Sequence, residues 1–250
     1  MKLAEGLGVI HEHTADLAVG AFFFAMRACE FCKTERKGRT KMLELCDITF
    51  RDRLKRVVPK TAPDLEKRSH YVTVRFEFQK NKVKADRRTQ GRSDKPLCPV
   101  RAWVRVCQRV IETGRDPTKR TPVCEIGDGG TRTVQVTSER VKHLLRLACE
   151  HRGGDRGYGM KPSELGTRSI RSGAAMALFL MDHPVEKIMI LGRWSSDAFL
   201  VYIRPQVLEW TNIMARDMAS NRDFRDLNHS RDRPSALRKS RTMPSFYMSH

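Results

Sequence analysis

Tyr71-Val-Thr-Val-Arg-Phe-Glu-Phe78 alternates apolar and polar side chains at every step, the period-two signature of a half-buried strand. A weaker alternation over Leu43 to Phe50 predicts a second strand, with Pro59 and Pro63 marking a loop between the two. Ala15 to Cys32 is apolar on nearly all sides, which predicts a helix in the middle of a core. Lys33 to Lys41 is a charged turn broken at Gly38. Lys80 to Lys95 is basic, contains Gly91 and lacks an apolar period, so it reads as a long hairpin loop. Pro99 to Thr113 follows with Pro99 in its first turn and Gly114 just past its end, the punctuation of a helix. Residues 115 to 134 read as loops and short extended pieces.

Ser138 with Val141, Leu144, Leu145 and Ala148 gives another helix by its i, i+3, i+4, i+7 spacing. A glycine-rich loop, Gly153 to Gly159, leads to apolar helices over Ile170 to Met181 and Pro184 to Leu191. Ala198 to Ile203, stopped near Pro205, and Leu208 to Met218 are the last expected helices. The predicted class is α+β, mostly α-helical with a small antiparallel β-sheet. Residues 1–14 read as a lead-in, 15–218 as one domain, and 219–250 as a basic tail with too few apolar anchors to fold.

Charge narrows the partner. Lys and Arg number 48 against 29 Asp and Glu, a net charge of +19, which calls for a polyanion. The abundance of Arg, whose fork grips phosphate, favours nucleic acid over a membrane surface. The apolar run Leu17 to Met26 is too short to span a bilayer. Seven scattered cysteines with no secretory signal before them read as reduced thiols. Cys29-x-x-Cys32 has no second pair at zinc spacing, and His11-Glu-His13 lacks the i, i+4 geometry of a helical metal site and is expected to be exposed. The glycine loop does not follow a strand in the dinucleotide-binding manner. No metal and no cofactor are expected.

Three segments carry the candidate chemistry: Ala25-Met-Arg-Ala-Cys-Glu30, Gly166-Thr-Arg-Ser-Ile-Arg-Ser-Gly-Ala-Ala175, and Gly192-Arg-Trp-Ser-Ser-Asp-Ala-Phe199 leading to Tyr202. In this order and spacing they resemble the catalytic domain of the tyrosine recombinases, the phage-integrase type, in the versions carried by Crypton-like and DIRS-like mobile elements. The resemblance covers residues 17 to 212. It implies the family's catalytic-domain fold and metal-independent breaking and rejoining of double-stranded DNA, with Tyr202 as nucleophile forming a 3′-phosphotyrosyl link. Arg27 and Arg171 match the family's two arginines, which hold the nonbridging phosphate oxygens. The family's lysine lies in a β-hairpin; Lys80 fits best, with Lys82 and Lys84 as competitors. Glu30, three residues after Arg27, is read as structural support, and an Arg27–Glu30 pair would equally account for an arginine in so apolar a stretch.

Two departures follow. The family has His three residues before its second arginine, where this chain has Arg168. A guanidinium cannot accept the phenol's proton, so the alternative is a catalytically inactive DNA-binding remnant. The family's next position, His or Trp, falls nine residues before Tyr202 on Arg193, with Trp194 one step on. Trp194 is then a packing wall and Arg193 a further phosphate contact. The family's separate N-terminal helical domain is absent from this reading of the chain. The resemblance further implies homo-oligomers on DNA, no membrane partner, and a nuclear location if the source is eukaryotic, cytoplasmic otherwise.

Overall fold

In the computed structural model, residues 8–35, 40–78, 84–114, 116, 120–127, 132–154, 156 and 161–194 are described. The chain divides into two units, Met1–Arg171 and Ser172–His250. The predicted mixture of helices with a small antiparallel sheet is present.

In the first unit, α1 (Val9–Phe23) starts earlier than the expected Ala15 and ends well before Cys32. The lead-in therefore contributes a full turn of helix, and its histidines are not both at the surface. His13 is fully buried, its Nε2 donating to the Val123 carbonyl at 2.8 Å. Burial pulls its pKa down to about 4. The expected exposure of His13 is thus corrected: an imidazole kept neutral can share a core with Leu17 and Ala21, both at 0% exposure. Asp16, 3% exposed, is held by Arg105 at 2.6 Å and Arg109 at 2.6 Å. Arg109 also reaches Glu12 at 3.0 Å. Both arginines lie on α4 (Pro99–Glu112), so a charged clamp seats α1 against α4. A buried carboxylate is tolerable only with such partners.

The apolar run from Ala15 to Cys32 is broken because α1 closes on itself. The Met26 N–H donates to Ala21 at 2.9 Å and the Ala25 N–H to Phe22 at 3.1 Å. This is a Schellman ending with Ala25 in the left-handed region at φ 44°. Phe24 and Phe31 are fully buried, so the hydrophobicity that predicts one long helix serves the core on both sides of the break. Phe24 meets Trp103 edge-on with centroids 6.4 Å apart. The chain resumes as the single turn α2 (Ala28–Phe31).

The sheet has strand order β2-β1-β3-β4, with β1 Ile48–Arg51, β2 Val57–Val58, β3 Tyr71–Phe78 and β4 Lys84–Gly91. The third strand is as predicted. The expected strand from Leu43 instead makes a 3₁₀ turn over Leu45–Asp47 before β1 begins. Half of the basic segment expected to be a loop, Lys84–Gly91, is β4, paired antiparallel to β3 from Tyr71↔Gly91 to Phe78↔Lys84. An edge strand pairs on one side only, and polar or charged residues there guard against pairing with another chain. The one-turn α3 (Leu65–Arg68) lies between β2 and β3. After α4 come the two-stranded β5 (Glu125–Gly127) and β6 (Thr133–Gln135), then α5 (Ser138–His151). Thr137 caps α5 by accepting from the Arg140 N–H.

The division between units falls within α6 (Thr167–Leu180). In the second unit, Ala175, Phe179 and Ile188 form a small apolar cluster with Val185, Met189 and Trp194 around α7 (Val185–Gly192). The seven thiols are free, and among the described residues no helix is long and apolar enough to cross a membrane.

Candidate functional site

Three supports meet at the turn that ends α1. Gln90 of β4 donates to the Phe23 carbonyl at 2.8 Å. Arg171, 7% exposed, donates from Nη1 to the Ala25 carbonyl at 2.7 Å, a contact spanning 146 residues of sequence. Arg27 begins α2, and the Glu30 carboxylate accepts its backbone N–H at 2.8 Å and its guanidinium at 3.2 Å. The reciprocal bond, Glu30 N–H to the Arg27 carbonyl, is 2.9 Å. Glu30 is 1% exposed. Arg27 is thus not in a helix interior but at a helix start, with its side chain 24% exposed. The Arg27–Glu30 pair read from the sequence is present and holds the guanidinium at the turn.

The second arginine is delivered by a built connection. Arg146 of α5 donates to the Leu165 carbonyl at 3.3 Å and to Ser163 at 3.4 Å. Ser169 then reaches back to accept the Gly166 N–H at 3.1 Å. That bond stops the chain from running on as loop and starts α6 at Thr167, three residues before the predicted Ile170. Arg168 and Arg171 consequently share the first turns of α6; Arg168 is exposed and Arg171 buried. The structure brings Arg27 and Arg171 to the same short turn. Within the first unit the Arg171 guanidinium is bonded to the backbone of Ala25, two residues before Arg27, while the Arg27 guanidinium is bonded to Glu30.

In the second unit, Arg193 ends α7 in the left-handed conformation, φ 56°. It is 3% exposed. Trp194 donates its N–H to Met189 at 3.0 Å and joins the apolar cluster. Its ring lies where a Cβ on Gly192 would be. The Gly-Arg-Trp sequence is therefore a helix ending in which the glycine makes room for the indole. Tyr202, Lys80 and Lys82, with the expected helices Ala198–Ile203 and Leu208–Met218 and the tail, lie outside the described residues; Lys84 opens β4.

Sequence reasoning missed Gln90, Arg146 and Ser169, which act through backbone groups and leave no periodic signal. It also missed Glu44, Cys46 and Asp47, whose ligand atoms lie within 4.8 Å of one another. Their charge is already balanced: Lys41 pairs with Glu44 at 3.1 Å and also with Glu77, and Arg75 pairs with Asp47 at 2.9 Å. Burial works against the Lys41 charge, but its bonds to Glu77 and Glu44 raise its pKa overall. The group is an ion-pair network that leaves little negative charge for a metal.

No protein-family model matches the chain, and no curated protein matches it.

Proposed function

We propose that this chain is a DNA strand-transfer protein of the tyrosine-recombinase type, with the catalytic-domain fold of that family. The observation that carries the reading is the 2.7 Å bond from Arg171 to the Ala25 carbonyl, which unites the first and second arginine segments. Arg27 and Arg171 hold the nonbridging oxygens of the scissile phosphate. Tyr202 Oη attacks phosphorus as the bond to the 5′-oxygen breaks, leaving a 3′-phosphotyrosyl link. The lysine at 80, 82 or 84 protonates the departing 5′-oxygen, and the phenol's proton passes to water because Arg168 cannot take it. Covalent attachment preserves the phosphodiester energy, so rejoining another strand needs no nucleotide cofactor.

Arg168, standing where the family has His and unable to accept the phenol's proton, favours a second reading in which the chain binds duplex DNA as an inactive remnant, with homo-oligomers assembling on the duplex in either case. One experiment separates these. The full chain is incubated with a nicked duplex in the presence of a metal chelator and the products are resolved under denaturing conditions. Strand transfer predicts a protein–DNA adduct that Tyr202→Phe abolishes and Arg168→His increases. An adduct undiminished in Tyr202→Phe refutes the nucleophile assignment. Salt-sensitive binding with no adduct in any variant selects the remnant.

A further inference from the structure

The turn joining β1 to β2 carries a second basic cluster, unrelated in sequence to the arginine motifs. Asp52, Arg53, Leu54 and Arg56 from this turn line a cleft of about 260 Å³ with Arg68 and His70, from the segment entering β3. The two walls are tied together by the His70 N–H, which donates to the Arg51 carbonyl at 2.8 Å. The turn is itself fixed. Asp52 accepts the Arg56 backbone N–H at 2.9 Å and its guanidinium at 2.8 Å, while Arg51 holds the Lys55 carbonyl at 2.9 Å.

His70 sets the chemistry. Arg53 Nε donates to His70 Nε2 at 2.7 Å. An arginine is always protonated, so Nε2 must be the bare acceptor nitrogen. The proton then sits on Nδ1, which is 3.1 Å from the Arg68 carbonyl. His70 thus positions the Arg53 guanidinium and brings no negative charge to offset it. Arg68 makes a long contact to Asp64, 3.6 Å with both side chains 49% exposed, an ion pair of little strength. Three arginines therefore line the cleft together with the carboxylate-bearing Asp52, itself engaged by Arg56.

We propose that Arg53, Arg56 and Arg68, arranged around His70, form a second phosphate-binding cleft that shares no residue with the Arg27–Arg171 turn. The ligand class is a phosphate oxyanion, whose oxygens match the forked geometry of guanidinium donors. Its source is either a free phosphate or a backbone phosphate of duplex DNA. Only the second source rests on the DNA reading given above.

The test uses the full chain, the double variant Arg53→Gln/Arg68→Gln and, as control, Arg140→Gln, an exposed arginine that does not line the cleft. Inorganic phosphate is titrated while the His70 ring signals are followed by NMR, assigned by their loss in His70→Gln. Duplex affinity is measured across a salt series. Phosphate is expected to move the His70 signals in the wild type and control but not in the double variant. If the source is DNA, the double variant also binds duplex roughly eightfold more weakly at 0.1 M salt, with a salt slope lower by about 1, the effect of one lost phosphate contact. His70 signals unmoved by phosphate, with duplex affinity equal in all three proteins, overturn the proposal. Phosphate binding without a duplex effect supports the cleft and assigns it to free phosphate. A wild type that moves with phosphate but binds no duplex at any salt sinks the DNA reading and leaves the cleft standing.

Discussion

Gly192 shows at the scale of one residue why a motif can be legible without its mechanism being so. Gly192-Arg-Trp194 is visible in the sequence, but its local cause is steric. The Trp194 ring occupies the position of the missing Cβ, and the following N–H groups close the helix onto Met189 and Ile190. Gly192→Ala should therefore lower stability by about 1–3 kcal/mol, the usual penalty for overpacking. A urea titration followed by near-ultraviolet circular dichroism checks this. Adding Trp194→Ala should make the Gly192→Ala change nearly neutral, because the ring it collides with is gone. Equal midpoints for wild type and Gly192→Ala would show that the indole does not rest there. Arg27 belongs to the same scale. Its pairing with Glu30 follows from their spacing, whereas its place at the start of α2 does not, because Ala25 at φ 44° is a left-handed alanine where such endings usually carry glycine.

Among the elements, α1 has the most consequential support. His13 lies inside it with Nε2 bonded to Val123 at 2.8 Å, and among the described residues its Nδ1 has no hydrogen-bond partner. A proton added at Nδ1 finds no acceptor in the core. Burial is the main cause of the pKa near 4 against the usual 6.5, Arg109 adds to it, and the Val123 bond and Asp16 oppose it. The native state thus binds fewer protons than the unfolded chain between these values. The resulting stability is intact above pH 6.5 and is lost as pH falls toward 4, by about 3 kcal/mol in all. Denaturant unfolding at several pH values should show this slope in the wild type and a flatter one in His13→Gln; identical slopes would contradict the assignment. Periodicity revealed the helices Pro99–Glu112 and Ser138–His151 and the strand Tyr71–Phe78 almost to the residue, since each keeps one face in the core. It failed for Ala15 to Cys32, where core residues flank a turn. It also failed for Lys84–Gly91, whose β pairing is carried by backbone groups beneath polar side chains.

For the whole molecule, a charge of +19 does not say which cations lie together. Folding joins the two arginine segments through Arg171, which crosses 146 residues to bond the Ala25 carbonyl, while Glu30 anchors Arg27 at the start of α2. The sequence pattern named both arginines; the supporting bonds of Gln90, Ser169 and Arg146 emerged only from folding, because they go to main-chain atoms. Two groups that grip one phosphate should behave as a unit, so their losses should not multiply. The most direct measurement is a double-mutant cycle on the rate of adduct formation at a nicked duplex, using Arg27→Gln, Arg171→Gln and the pair. Each single change is expected to slow the reaction about 100- to 1,000-fold, the usual cost of a preorganised donor, and the double variant to be scarcely slower than the worse single. Losses that multiply in full, or singles with undiminished rates, would mean that the two guanidinium groups do not serve one phosphate.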